Sequence, residues 1–368
     1  MQTTAAPTTT VSSTRTAPPT PAVPQPGAVS PLAAFDALTR GTPAPSWLAG
    51  PVAEAWALDP ARSSVVLIAV SENATFRVDV DGSPAAVLRV HRPGYVADPR
   101  QIEGELTWVR ALAEQAPVRV PEVVPTRDGR LVLTFVDQAG ATWHCVSFAW
   151  VVGDVLEDVA DPRPWYHQIG ATTAALHDHQ RGWARDDDFT RFSWTPADMV
   201  GEVSRWGDWR RASLTADEVD LLGRAEEVAL AVVSQLPTEG AAWGLVHADL
   251  RPSNIMICDG SLTVIDFDDC GFSWLLYDFA SALSFIEHEP HAAEMARSWV
   301  EGYRTVRPLD DLDLEHAAAL SMVRRLQMLG WTTTHREDAL PPAIWHAQVG
   351  GTVAVAERYL ASPTWLFD

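Results

Sequence analysis

The sequence predicts an α+β protein of two lobes, with a small antiparallel sheet and one helix in the N-lobe and mainly helices in the C-lobe. Short runs of strand-forming residues separated by turns fill residues 65–90. After residue 150, apolar residues recur at helical spacing in several segments. With 368 residues, of which 47% are hydrophobic, the chain is long enough to bury two cores around a cleft.

The segment before the sheet differs in composition from the rest of the chain. It is rich in Thr, Ala and Pro and carries almost no charge, which predicts a disordered tail over residues 1–48. No basic segment precedes an apolar stretch there, and no later segment reaches the apolar length of a membrane span. We therefore expect a cytoplasmic protein with no membrane partner.

Three consecutive antiparallel strands are predicted at the start of the N-lobe. They cover residues 65–70, 74–80 and 86–90, with a turn at Asp81 and Gly82 before the third. Between the first two strands, a polar turn offers hydroxyl and backbone N–H groups that can contact phosphates, although it lacks glycine. The candidate phosphate contacts in this turn are Ser71, Asn73 and Thr75.

The remaining elements follow from periodicity and turn signals. Helical spacing predicts a helix over residues 101–115, and strand-like residues 120–125 and 131–136 predict a hairpin about Asp128 and Gly129. The apolar residues 143–151 predict a buried strand that leads into the linker between the lobes. Helices of the C-lobe are predicted over residues 165–180, 292–303, 312–329 and 343–360.

A dense polar run at residues 247–254 indicates the chemistry. Two short strand-like runs follow it around an Asp259-Gly260 turn, and such a hairpin returns Asp266 to the side of Asn254. In phosphoryl transfer of the kinase type, one Asp accepts the hydroxyl proton, while an Asn five residues later and a second Asp bind Mg²⁺. Asp249, Asn254 and Asp266 fit these three roles in order. The phosphates of ATP then complete the coordination of the metal.

These motifs resemble those of the aminoglycoside phosphotransferase and choline kinase family, whose fold is similar to that of protein kinases. The resemblance covers roughly residues 50–365, and its motifs are most specific over residues 245–280. It implies a protein-kinase-like fold, with residues 49–150 as the nucleotide-binding N-lobe. Residues 151–368 then form the C-lobe, with the catalytic loop and acceptor-binding helices, and Asp278 holds the catalytic loop through hydrogen bonds.

The resemblance also implies the nucleotide contacts. Kinases place a Lys in the third strand, whereas this sequence has no lysine at all and carries Arg89 there. A guanidinium binds phosphate bidentately, so we expect Arg89 to take this role, held by Glu105 of the following helix. Glu103 is the alternative partner. The linker backbone of such kinases hydrogen-bonds adenine, which assigns Phe148, Ala149 and Trp150 by position.

The acceptor site is less clearly indicated. A segment over residues 183–211, rich in Trp and charged residues, lies where relatives place acceptor-binding elements, and an aromatic, acidic wall suits a cationic or sugar-like acceptor. Burial of these tryptophans against the helical lobe is the favoured alternative. Trp331, His335 and Trp345 are further candidates for acceptor contact. Asp268 is a candidate for either a supporting metal ligand or an acceptor contact.

We therefore expect an ATP- and Mg²⁺-dependent phosphotransferase that moves the γ-phosphoryl group to a hydroxyl of a small molecule. Aminoglycosides, amino alcohols and sugar-like molecules all remain candidate acceptors. The formal net charge of −21 argues against a nucleic-acid partner. The alternatives are a protein Ser/Thr kinase of the bacterial stress-response type and a nucleotide-binding pseudokinase. The choice between ATP and GTP and the oligomeric state stay open.

Overall fold

The computed structural model describes residues 30–96 and 98–368, and these residues form a five-stranded antiparallel sheet, two smaller sheets and eleven α-helices. The strands are β1 (Ser63–Val70), β2 (Asn73–Val80), β3 (Ser83–His91), β4 (Leu133–Val136), β5 (Thr142–Ala149), β6 (Asp154–Val155), β7 (Trp243–Val246), β8 (Ile255–Cys258), β9 (Ser261–Val264) and β10 (Gly271–Trp274). The helices are α1 (Pro31–Asp36), α2 (Ser46–Ala55), α3 (Arg100–Gln115), α4 (Tyr166–Gly182), α5 (Pro196–Val200), α6 (Ala216–Val233), α7 (Tyr277–Ala282), α8 (Ala292–Arg304), α9 (Asp311–Trp331), α10 (Pro342–His346) and α11 (Gln348–Ala361).

The N-lobe sheet has the strand order β1-β2-β3-β5-β4. Successive side chains of a strand point to opposite faces, and in β3 this alternation places Leu88 and Val90 in one apolar cluster. Arg89 lies between them in sequence and therefore faces the other side, towards the cleft. The predicted strands and the Asp81-Gly82 turn are confirmed, with each strand one to four residues longer than predicted.

The prediction of a disordered tail over residues 1–48 is wrong for residues 30–48. The Ser30 hydroxyl caps α1, and Phe35 of that helix is fully buried. Leu48 of α2 is buried as well, in the same cluster as Leu67 and Phe76 of the sheet. These two helices are short and contain few charged residues. The alternation of apolar and polar residues that would predict a helix is therefore hard to recognise in this Pro- and Ala-rich segment. Residues 1–29 of the predicted tail lie outside the described residues.

The predicted hairpin between residues 120–125 and 131–136 is also wrong. β4 pairs with β5, while Val123 makes a single isolated bridge to Phe148. Pro121 and Pro125 explain the difference, because proline has no N–H to donate to a strand ladder.

The C-lobe is built around α9, whose side chains are buried without interruption from Ala317 to Trp331. α4 and α8 pack closely because each has a glycine at the contact. A Cβ atom on Gly170 would lie 1.9 Å from the Trp299 carbonyl oxygen, and one on Gly302 would lie 1.8 Å from that of His167. The predicted helices are confirmed, except that residues 343–360 form parts of two helices, α10 and α11. Within the described ranges, no helix combines the length and apolarity needed to cross a membrane.

Candidate active site

The catalytic loop follows β7 and is held from below by α7. Asp278 accepts hydrogen bonds from the backbone N–H groups of His247 (3.0 Å) and Ala248 (2.7 Å), as the sequence predicted. Ala248 has a positive φ of 67°, a conformation that is unfavourable for a residue with a Cβ atom and needs such support. The His247 ring bonds the Ile265 carbonyl at 3.1 Å and so ties this loop to the segment that carries Asp266.

The three residues predicted for catalysis and metal binding lie together. The Asn254 amide nitrogen donates to Oδ2 of Asp249 at 2.8 Å, while its oxygen accepts only a 3.4 Å hydrogen bond from Ser253. The Ile265 N–H donates to the Asn254 carbonyl at 2.9 Å, which sets the start of the next loop beside Asn254. Asp266 follows directly, with a positive φ of 60° and a side chain that is 44% exposed. Carboxylate and amide oxygens therefore face the cleft, and these are ligands suited to Mg²⁺.

Arg89 connects the sheet, α3 and the Asp266 loop. Its guanidinium donates to both carboxylate oxygens of Glu105 at 2.6 Å and to Asp266 at 3.0 Å, and its side chain is only 3% exposed. Burial alone would lower the pKa of Arg89, but the carboxylates of Glu105, Asp268 and Asp266 outweigh burial and raise the pKa. Glu103 is exposed, so Glu105 is the partner.

A cavity of about 320 Å³ opens between the lobes beside Arg89. Its lining is mostly apolar and includes Ile68, Thr75, Val87, Phe148, Ala149, Trp150, Val151, Met256, Ile265 and Asp266. In the linker, the N–H of Ala149 already donates to the Glu122 carbonyl (2.8 Å) and that of Trp150 to the Ala85 carbonyl (3.1 Å). The cavity therefore has the flat apolar walls expected of a purine site.

The turn between β1 and β2 reaches across to the C-lobe. The Asn73 amide donates to the Asp268 carboxylate, and the Glu72 carboxylate accepts hydrogen bonds from the ring N–H groups of Trp331 and, at 3.0 Å, of His335. Ser71 contributes its backbone N–H to the turn, and Thr75 lines the cavity. Trp331 and His335 thus contact the N-lobe, a contact that the sequence did not predict.

Arg324 of α9 is a functional candidate that the sequence analysis missed. Its guanidinium is fully buried and donates to Asp249, to the Ala248 carbonyl (3.1 Å) and to the Tyr277 hydroxyl (2.8 Å). The sequence does indicate an unusual position here, because two adjacent arginines, Arg324 and Arg325, interrupt an otherwise largely apolar helical stretch. A charge at such a place is retained only when it is paired.

Asp269, in the loop that follows Asp266, is a further carboxylate and is only 5% exposed. Asp269 accepts a hydrogen bond from the Tyr95 hydroxyl at 3.0 Å, and that hydroxyl accepts one from the Trp206 indole at 3.0 Å. Burial, and after it the negative charges of Asp249 and Glu72, raise the pKa of Asp269 well above its usual range. Trp206 is buried, like Trp194 and Trp209 of the same segment, as the favoured interpretation of residues 183–211 had it. One of these rings nevertheless reaches the polar site.

Comparison with known proteins identifies the family of this chain. The sequence model of the phosphotransferase enzyme family matches residues 65–312. The chain belongs to this phosphotransferase family. The family and the α+β, kinase-like fold predicted from the sequence are thereby confirmed, and so is phosphotransfer as the class of activity at the level of the family.

Solved structures resemble this phosphotransferase along most of its length. A microcompartment-associated aminopropanol kinase is 37% identical, with a TM-score of 0.76 over 86% of this chain and 98% of that protein. The amicoumacin kinase hAmiN, solved in complex with AMP-PNP, Ca²⁺ and Ami, is 20% identical, with a TM-score of 0.66 over 84% of this chain and 92% of that one. The second similarity concerns the fold alone.

Characterised relatives are more distant. The amicoumacin kinase of Bacillus subtilis (strain 168) is 22% identical over 223 residues, which span 60% of this chain and 63% of that kinase. A homoserine kinase of Rhodospirillum rubrum is 26% identical over 280 residues, which span 74% of this chain and 79% of that enzyme.

Proposed function

We propose that this phosphotransferase moves the γ-phosphoryl group of ATP to the hydroxyl of a small amino alcohol. The observation that carries the proposal is the convergence of Asp249, Asn254 and Asp266 beside a cavity that contains Arg89. The 37% identical aminopropanol kinase supports the choice of acceptor, because its name specifies an amino alcohol.

The proposed chemistry assigns one role to each polar residue. Asp249 accepts the proton of the attacking hydroxyl, while the Asn254 amide oxygen and the Asp266 carboxylate hold Mg²⁺. Among the described residues, no group of three or more His, Cys, Asp or Glu side chains is arranged for a metal, which fits a site of two protein oxygens completed by phosphates. The hAmiN complex with AMP-PNP and Ca²⁺ supports a divalent cation with the nucleotide.

Residues 49–150 supply the nucleotide contacts in this proposal. Arg89, held by Glu105, neutralises phosphate oxygens, and the cavity beside Phe148 and Trp150 takes the adenine. The N–H groups of Ala149 and Trp150 already donate to other carbonyls of the chain. We therefore assign the hydrogen bond that the linker donates to adenine to the N–H of Val151. Ser71, Asn73 and Thr75 stay predictions as phosphate contacts.

Within residues 151–368, the acceptor lies between Asp249 and Asp269. The hydroxyl faces Asp249, and the ammonium group faces Asp269 and the aromatic rings of Tyr95 and Trp206. A bound cation offsets the charge of Asp249 and Glu72, which the buried Arg324 balances only in part, and it stabilises the ionised form of Asp269 against the raised pKa of that carboxyl. The sequence-based expectation of a cytoplasmic protein without nucleic-acid partners stays a prediction.

The two alternative functions fit the site less well. A protein kinase needs an open acceptor cleft, whereas here the Trp206 ring lies 4.9 Å from the guanidinium of Arg324, which bonds Asp249, and the β1–β2 turn contacts the C-lobe through Glu72. A pseudokinase has no reason to keep Asn254 in contact with Asp249 and the Asp266 loop bonded beside Asn254. The relatives and neighbours reported above are named for small-molecule substrates.

The test is an ADP-release assay with Mg-ATP and a panel of acceptors. The panel contains 1-amino-2-propanol, ethanolamine, choline, homoserine, kanamycin and casein. We expect turnover with a small amino alcohol and none with casein. Turnover with kanamycin alone would replace the proposed acceptor class, and nucleotide binding without any turnover would favour the pseudokinase.

Replacing Asp269 by Asn tests ammonium recognition. A charge-assisted hydrogen bond contributes about 1.5–3 kcal/mol, so we expect the KM for 1-amino-2-propanol to rise about 10- to 100-fold. The matched comparison is 1,2-propanediol, which has the same carbon skeleton without the amine, and for which the variant and wild type should be alike. Equal losses for both acceptors would show that Asp269 does not recognise the ammonium group.

Replacing Arg89 by Lys tests whether the guanidinium is needed. An ammonium group cannot span Glu105 and Asp266 as the planar guanidinium does, so we expect the KM for ATP to rise about tenfold or more. The matched control is Arg130→Lys on the surface, which should leave the KM unchanged. An unchanged KM for ATP in Arg89→Lys would mean that a point charge suffices at this position.

A further inference from the structure

The β1–β2 turn carries an acidic residue at the place where phosphate-binding turns carry glycine. The Glu72 carboxylate is bonded to Trp331 and His335, and its side chain is 13% exposed. Burial alone would raise the pKa of Glu72, but the hydrogen bond and charge of His335 and the bond from Trp331 outweigh it and lower the pKa to about 2. A carboxylate that stays ionised repels phosphate oxygens, so Glu72 has a purpose other than phosphate binding.

Two neighbouring side chains fix this turn to the C-lobe at separate points. Glu72 contacts the end of α9, while Asn73 donates to Asp268 in the loop after β9. The two C-lobe partners of Glu72 also contact each other, because the His335 ring is stacked on Trp331 with centroids 4.2 Å apart and planes 9° apart. The turn therefore bridges the lobes as a closing element.

The end of α9 is also where the proposed acceptor compartment ends. The Thr334 hydroxyl bonds the Trp206 carbonyl, and Gly207 packs so closely on Gly330 that a Cβ on Gly330 would lie 2.3 Å from the Gly207 carbonyl oxygen. The Tyr95 hydroxyl joins the Trp206 indole to the Asp269 carboxylate, and Trp331, three residues before Thr334, bonds Glu72. These hydrogen bonds gather Glu72, Trp206 and Asp269 around the end of α9, and we take the space beside them as the acceptor compartment.

Helix geometry bounds the size of that space. Arg324 and Trp331 are seven residues apart, so they lie on one face of α9 and, at 1.5 Å per residue, about 10 Å apart along it. Arg324 holds Asp249 at one end, and Trp331 holds Glu72 at the other. In this proposal the acceptor lies between these two ends, and their spacing of about 10 Å along α9 favours an acceptor of a few carbon atoms.

We propose that Glu72 is a specificity-determining positioning residue, which docks the β1–β2 turn on Trp331 and His335 and so closes the acceptor compartment around small acceptors. The inference rests on the proposed function for the location of the acceptor. Closure over Asp249 also keeps water from the γ-phosphoryl group when no acceptor is bound.

The first test compares the full-length wild type with Glu72→Gln, which keeps the shape and removes the charge. We expect kcat/KM for 1-amino-2-propanol to fall about tenfold or more, because a charge-assisted contact is lost, while the KM for ATP changes little. We also expect faster ATP hydrolysis without acceptor and better relative use of the bulkier N-benzyl-1-amino-2-propanol. The matched control is Glu54→Gln on α2, an exposed residue, which should leave all four measurements unchanged.

His335→Gln is the second variant, because it removes the other partner and leaves Glu72 in place. It should lower kcat/KM for 1-amino-2-propanol, speed ATP hydrolysis without acceptor and improve the relative use of the bulkier acceptor, again with little change in the KM for ATP. A rise in the KM for ATP, with acceptor selectivity unchanged in both variants, would assign the turn to phosphate binding and overturn the proposal.

Amide hydrogen exchange measures the docking without using activity. We expect residues 70–75 and 331–336 to exchange about tenfold or more faster in Glu72→Gln than in wild type, because a charge-assisted contact that holds them closed is lost. Unchanged exchange in both segments would overturn the proposal. If the wild type phosphorylates no amino alcohol, the proposed function fails, while this experiment still decides whether Glu72 docks the turn.

Discussion

Replacement of Asp249 by Asn is expected to lower kcat about 10²- to 10⁴-fold, the range typical for the loss of a general base. Asn keeps the size of the side chain but cannot take the proton of a hydroxyl, and its single amide oxygen can replace only one of the two carboxylate oxygens that accept from Asn254 and Arg324. The KM for ATP should stay nearly constant, because the nucleotide cavity lies on the side of Arg89 and Phe148.

Two measurements separate this effect from damage to the fold. Calorimetric titration with Mg-AMP-PNP should give a dissociation constant close to that of the wild type, and thermal unfolding should show a native transition. Asp220→Asn, an exposed position on α6, is the matched control and should retain full activity. Activity of Asp249→Asn within threefold of the wild type would remove Asp249 from the role of base.

Replacement of Arg324 by Gln is expected to give the second large effect, and the neighbouring Arg325 provides its control. Both guanidinium groups are fully buried on α9. Arg324 faces the catalytic loop through Asp249 and Ala248, whereas Arg325 faces away from it and pairs with Glu287 at 2.7 Å. The two arginines therefore have the same burial on the same helix but different surroundings.

Both substitutions should destabilise the protein, and only one should impair catalysis. Arg325→Gln leaves the fully buried Glu287 without its partner, so we expect a loss of about 3–5 kcal/mol in the free energy of unfolding. Burial already raises the pKa of Glu287, against the opposing charge of Arg325. Arg324→Gln should destabilise less, because the Asp249 side chain is 18% exposed and can recruit water.

Kinetics at a temperature where both variants are folded then give the decisive comparison. Arg324→Gln should lower kcat about 100-fold, because misplacement of a reacting group by about 1 Å has that effect, with the KM for ATP little changed. Arg325→Gln should keep a kcat close to that of the wild type. Equal kcat values in the two variants would show that Arg324 supports only the fold, and urea unfolding supplies the stability values.

Sequence reasoning predicted the relative placement of residues that lie close along the chain. Asn254 and Asp266 are separated by one hairpin, whose turn and strands can be predicted from residue type, so their convergence follows from local structure. The pairing of Arg89 with Glu105 was predicted through the family resemblance and is observed. Prolines and short helices caused the errors at residues 30–48 and 120–125.

By itself, the sequence determined the two-lobed α+β organisation, the family and the order of the proposed catalytic and metal-binding residues, because strand alternation, helical spacing and turn residues act over short stretches. Only the tertiary structure decided which distant charges meet. Arg324 reaches Asp249 across 75 positions, and Glu72 reaches Trp331 across 259. A buried charge is stable only beside an oppositely charged or hydrogen-bonding partner. The residue type at one position does not indicate where in the sequence that partner lies. The composition of the proposed acceptor compartment therefore depends on the packing of α9 and the β1–β2 turn.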